Sequence, residues 1–190
     1  MTISDAGTRR PRGANALDRC MLIIDRLVEW LGRLTAWLTL GLVLLVAGDV
    51  MLRYIWHTGS VAEQELQWHL LAVVSMISAS YTLQQDEHVR VDIFYQRYSP
   101  RVKQILEVIV SLLFVVPTMA FLTWMCLGFV EQSWSLGEGS PDPGGLPARY
   151  VVKAFVPLGF ALVALEGLVR GIHGLIELMG PRPAEARHGH

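Results

Sequence analysis

Apolar positions along the chain fall into four long runs separated by charged intervals, and this alternation predicts the architecture. The first run covers residues 35–54. Arg33 and Arg53 bracket 19 residues, about 28 Å at the helical rise of 1.5 Å per residue, which matches the hydrocarbon thickness of a bilayer. The second run covers 66–85 with 20 uncharged residues, the third 108–130 with 23, and the fourth 151–168. Pro117 and Pro157 fall inside the third and fourth, and Pro117 is expected to kink its helix. Residues 16–34 follow a different pattern. Leu17, Met21, Ile24, Val28 and Leu31 recur at helical spacing, with Asp18, Arg19, Asp25, Arg26, Glu29 and Arg33 on the other face. This predicts an amphipathic helix that lies in the membrane interface or packs on a partner.

The intervals are equally informative. The one from Gln84 to Pro100 is the longest charge-dense stretch between apolar runs and reads as the central loop between two membrane hairpins. At its end, Ser99-Pro100 predicts a helix N-cap followed by proline at the first helical position. Residues 137–147 hold Pro141, Pro143 and Pro147 among four glycines, which excludes regular structure there. Residues 1–15 read as a mobile basic tail and 181–190 as a disordered one, so 16–180 form a single four-helix membrane domain. Small residues cluster at Ser75-Met76-Ile77-Ser78-Ala79-Ser80, where a helix contact is expected because small side chains let helices approach closely in lipid.

Composition fits a membrane protein. Hydrophobic residues make up 52% and charged residues 17%, against about 25% charged in soluble domains, and the mean hydropathy is +0.39. Thirteen of the sixteen Lys and Arg residues fall in the N-terminal segment, the central loop region and the C-terminal end, and only Arg53, Arg149 and Lys153 fall on the opposite side. By the positive-inside rule both termini and the central loop face the cytoplasm, an N-in/C-in arrangement. Charges within the runs are expected to pair one helical turn apart, Asp49 with Arg53 and Glu166 with Arg170, while Lys153 snorkels outward.

Little in the chain suggests chemistry. Cys20 and Cys126 fall near opposite membrane faces, too far apart for a disulfide. No two intramembrane histidines share a depth, which argues against haem, and His69 reads as a satisfied or interfacial side chain. No phosphate loop, nucleophile elbow or zinc spacing appears, no basic stripe suggests nucleic acid, and no cofactor is implied. Single prolines in four spans do not make the interrupted repeats of a complete carrier. The chain therefore reads as an accessory membrane subunit. Two other readings are a membrane anchor subunit of a redox enzyme, which a Soret band would reveal, and a small channel, which flux through the reconstituted chain would reveal.

Three phrases carry a resemblance: DVMLRYIWHTGS at the end of the first span, AEQELQWHLLAVVSMISASYTLQQDEHVRVDIFY, and GEGSPDPGGLPARYVVKAFVPLGFAL. In this order and at these places the chain resembles the small membrane subunit of tripartite ATP-independent periplasmic (TRAP) transporters, the DctQ-like component, over residues 35–175. The last two phrases look like the mannitol/chloroaromatic-type branch. The resemblance implies a small subunit that packs on the fixed scaffold of a large permease subunit. A periplasmic substrate-binding protein would deliver an organic acid to that complex for sodium-coupled uptake. It also implies that Arg53, Glu65, His88, Arg90 and Asp92 set helix geometry or grip the large subunit. Many relatives have adjacent acids before the second span, whereas here Gln64 separates Glu63 from Glu65. Glu138 and Asp142 make the loop at 137–147 acidic, and Arg149 can pair with one of them. That loop is either a docking surface or a rigid connector.

The charge asymmetry generates a direct test. A membrane-impermeant thiol reagent applied from outside, with the outer membrane made permeable, should leave Cys20 unlabelled. Labelling of Cys20 would reverse the topology.

Overall fold

The structure, a computed structural model, describes residues 16–85 and 98–179. The expected tails at 1–15 and 181–190, and most of the central loop with His88, Arg90 and Asp92, lie outside the described residues. The described chain is all α: α1 spans Ala16–Trp56, α2 Val61–Gln84, α3 Pro100–Ile109, a π-helical turn Val110–Val115, α4 Val116–Ser135, and α5 Arg149–Met179. α3, the π turn and α4 run on as one helix of 36 residues, so the architecture has four long helices. All four are long and apolar enough to cross a membrane.

α1 corrects one expectation. The amphipathic stretch and the first span are not separate elements but one helix of 41 residues. At 1.5 Å per residue it is about 60 Å long, roughly twice the hydrocarbon thickness, so it cannot lie wholly in lipid. Its continuity has a packing cause. Met21, Val28, Gly32 and Thr35 are buried at helical spacing, which keeps the amphipathic stretch against its neighbours. Gly32 faces the Tyr81 ring of α2, and the Gln84 side-chain amide donates to the Asp25 carbonyl at 2.8 Å. No proline interrupts residues 16–56.

The start of α3 follows the sequence pattern, with Pro100 in the first turn and Ser99 Oγ accepting from the Val102 N–H at 3.4 Å. At Pro117 the regular hydrogen-bond ladder is broken. Proline has no N–H to give the carbonyl four residues back and its ring crowds that carbonyl. Here the helix widens into a π turn that ends two residues before it, one of the recognised ways a helix absorbs such a defect.

α5 is the hub. It packs along α2 and along α3, the π turn and α4, while α1 packs along α2 and more briefly against α5. No extensive contact joins α4 to α1 or α2 among the described residues, so the helices gather around α5 without closing into a ring. The contact with α2 falls on the small-residue stretch. Ser80 and Ile77 are buried there, and a Cβ on Gly159 would stand 2.8 Å from the Met76 carbonyl oxygen. Only glycine permits that approach. On a neighbouring face of α5, Gly167 meets Val115 and Gly171 meets Leu112.

Most large apolar side chains point away from the chain. Within the most apolar stretch of each long helix only 11–28% of residues are buried. Trp37, Leu44, Leu113 and Trp124 are all exposed. The interior is instead small and partly polar, with Thr35, Asp49, Glu65, Ser80, Ser111, Ser133 and Glu166 buried. This is the distribution expected where lipid, not water, covers the outside.

Gly159→Ala should lower the thermal stability of the detergent-solubilised chain by about 1–3 kcal/mol, the usual cost of overpacking. Gly128→Ala, whose Cβ would meet nothing within 4 Å, should be neutral or stabilising by up to about 1 kcal/mol. Equal effects from the two would contradict the close approach of α2 and α5.

Candidate functional site

Charged side chains meet at the end of the molecule where α2 begins and the α4–α5 loop lies. The expected pair forms: Asp49, buried, accepts from Arg53 at 3.1 and 3.3 Å. With the Gln64 amide turned so that its oxygen faces the guanidinium, that oxygen also accepts from Arg53, at 2.9 and 2.5 Å. Arg53 thus ties the end of α1 to the first turn of α2 through the residue that separates Glu63 from Glu65.

Glu65 is the centre of the second group. It is 3% exposed, and a carboxylate so placed must be satisfied by the protein. Oε1 accepts from Ser140 Oγ at 2.5 Å and Oε2 from the Leu146 N–H at 2.5 Å. The Arg149 guanidinium stands 3.6 Å from Oε1 and 5.3 Å from the centre of the Trp68 ring, a cation–π distance. Two of these partners come from the loop and one from the first residue of α5, so Glu65 gathers three parts of the chain onto the start of α2.

The loop is shaped to reach it. A Cβ on Gly145 would stand 2.7 Å from Glu65 Oε2 and 2.3 Å from Ser140 Oγ, so only glycine lets the loop backbone lie on the carboxylate. Ser140 Oγ also accepts from the Asp142 N–H at 3.1 Å, and the Ser140 N–H donates to the Leu146 carbonyl at 3.0 Å. Ala148, just before α5, has a left-handed φ of 61°, a strained conformation for a residue with a Cβ.

Glu138 anchors the loop's other side. It bonds to Lys153 Nζ, and Ser133 Oγ donates to it at 2.6 Å. Those two donors hold the Glu138 carboxyl below its ordinary value of 4.5 against the opposing effect of desolvation. Lys153 sits over the Phe129 ring at 4.2 Å. The Arg149 N–H donates to the Glu138 carbonyl at 2.9 Å. The expected partner therefore changes for Arg149, which turns its guanidinium to Glu65, while Lys153 reaches Glu138 of the loop. Asp142 is exposed, and its carbonyl accepts from the Gly145 N–H at 3.0 Å.

The opposite end holds a further correction. Arg170 does not pair with Glu166 one turn away. It bonds to Glu107 of α3 at 2.6 and 2.8 Å and to the Leu83 carbonyl of α2 at 2.6 Å. Spacing along one helix pointed to the neighbour in sequence, but α3 and α2 bring better-placed acceptors. Likewise Ser140, Gly145 and Leu146 carried no signal as partners of Glu65. Glu65 itself was marked by its place at the mouth of an apolar run and by the family resemblance, but its partners were not. His69 is satisfied locally, its Nδ1 2.5 Å from the Glu65 carbonyl and its ring 4.1 Å from that of Trp68 at a tilt of 31°.

This arrangement fixes a loop. Among the described residues no group of three or more His, Cys, Asp or Glu is placed to hold a metal ion.

Glu65→Ala leaves the Leu146 N–H, Ser140 and Arg149 without their acceptor and so loosens the loop. Hydrogen exchange at Leu146 should speed up by tenfold or more. An unchanged rate would mean the loop holds itself. Because the folded Glu138 value is depressed, the stability it contributes is complete above pH 4.5 and lost as pH falls through the folded value. Glu138→Gln should therefore remove part of the acid-induced change in the near-UV signal of Trp134, which packs edge-on against Tyr150.

No curated protein matches the chain. The family model for tripartite ATP-independent periplasmic transporters, DctQ component, matches residues 22–176, which run from the first turns of α1 to the last of α5. With four apolar helices and a family match across most of its length, the chain is a multi-pass membrane protein that belongs to the DctQ component family of TRAP transporters.

Proposed function

We propose that the chain is the small membrane subunit of a TRAP transporter of the inner membrane, with both termini cytoplasmic. In this reading it packs on the fixed scaffold of the large permease subunit and supports sodium-coupled uptake of an organic acid brought by a periplasmic binding protein. The family match over residues 22–176 is the observation that carries the reading. The quoted sequence phrases favour the mannitol/chloroaromatic-type branch.

Two features of the fold support it. The outward faces of α1 and α4 are large and apolar while the chain's own interior is small, as suits a subunit that fills a place among lipid and other helices. A stationary partner in an elevator-type transporter must resist tilting and sliding. α1, about 60 Å long, and the exposed Trp37 and Trp124 give such anchorage.

The α4–α5 loop is the proposed contact for the docked binding protein. Its order comes from Glu65 and Glu138, which face inward, so Asp142 is the acidic side chain left to meet a partner. His88, Arg90 and Asp92 are proposed to grip the large subunit from the other side of the membrane.

Co-purification of the large subunit with the tagged chain tests the core of the proposal, and its absence from the native membrane complex would end it. Asp142→Asn should weaken uptake at limiting binding protein by roughly two- to fivefold, the worth of an exposed charge contact, at normal protein levels in the membrane. Unchanged uptake across a range of binding-protein concentrations would make the loop a connector. Joint replacement of His88, Arg90 and Asp92 by Ala should reduce complex yield, and wild-type yield would remove them from the interface.

A further inference from the structure

Glu166 has no role in the loop site, and its surroundings are unusual. It lies on α5, 3% exposed, and its Oε2 is fully buried with no hydrogen-bond partner. The neighbouring guanidinium of Arg170 is engaged by Glu107 and the Leu83 carbonyl. Among the described residues, Asp25, from α1, and Arg170 stand near enough for their charges to be felt at Glu166. Gln84, on α2, gives its side-chain N–H to the Asp25 carbonyl, while its Oε1 is also buried without a donor. Ser80, one turn earlier on the same face of α2, is completely buried, and its hydroxyl hydrogen goes to the Ile77 carbonyl at 2.9 Å, leaving oxygen lone pairs inside.

The Gln84–Asp25 bond and the charge of Asp25 felt at Glu166 thus bring α1, α2 and α5 together around oxygen acceptors with spare negative charge, of which Glu166 Oε2 and Gln84 Oε1 are buried. Two of those acceptors, Glu166 Oε2 and Gln84 Oε1, have no donor of their own, which is costly for buried polar atoms. A proton on Glu166 would supply a single donor. A small cation would serve several oxygens at once, and uncharged and carboxylate oxygens are the ligands that hard cations take.

We propose that Glu166, Gln84 and Asp25 hold a monovalent cation of sodium type between α1, α2 and α5, with Ser80 as a supporting oxygen. The cation offsets the buried carboxylate and fastens the α1–α2–α5 junction. The site is independent of the loop contacts around Glu65.

The test uses the full-length chain purified in detergent, with sodium chloride against choline chloride at equal ionic strength. Wild-type protein should show a saturable rise in Tm with sodium, on the order of 5–10 °C at a hundredfold excess over Kd. Glu166→Gln should lose the response while keeping a cooperative transition in choline. If that variant does not fold, equilibrium dialysis of radioactive sodium against the wild type decides the matter, equimolar binding supporting the site and no binding overturning it. Three other results would also overturn it. One is an equal wild-type Tm in the two salts. Another is a sodium response that persists in Glu166→Gln. The third is an infrared carbonyl band of a protonated carboxyl, in sodium at neutral pH, that disappears in Glu166→Gln. That band would mean a proton occupies the place.

Discussion

A charge held among apolar helices must find its counterpart within the protein, because lipid offers none, and an isolated buried charge costs several kcal/mol. The arrangement at the helix ends follows from this constraint. Asp49 meets Arg53 and Gln64, Glu65 meets Arg149 and two loop donors, Glu138 meets Lys153 and Ser133, and Glu107 meets Arg170. The Glu65 and Glu107 groups join parts of the chain that are distant in sequence, and the other two tie neighbouring helix ends together. Satisfying the charges therefore also fixes how the helix ends and the α4–α5 loop sit.

Between those ends the cohesion is of another kind. Lipid tails are as apolar as leucine, so helices gain little by hiding large apolar side chains from them. Close approach of small residues does the work instead. Gly159 at the Met76 carbonyl brings α5 onto α2, and Gly167 and Gly171 bring it onto the π turn. That leaves the bulky residues of α1 and α4 outward, as suits a subunit whose role is to stand in a membrane beside other proteins. The π turn ahead of Pro117 lies within this packed region, so the helix absorbs its defect where α5 supports it.

By itself the sequence determined the number of long helices, the class of protein, the N-cap at Ser99, the Asp49–Arg53 pair and the family. Each of these is written in local order, as run length, spacing of charges or a phrase of adjacent residues. The tertiary structure alone decided the rest. It joined the amphipathic stretch to the first span, because burial of Met21, Val28, Gly32 and Thr35 against other helices outweighs any preference for the lipid surface. It gave Arg170 to Glu107 and Arg149 to Glu65, because partners across the fold are set by how close Gly171 and Gly145 let their neighbours come. A spacing rule compares neighbours on one helix, and a buried charge answers to whatever packing brings within hydrogen-bond reach.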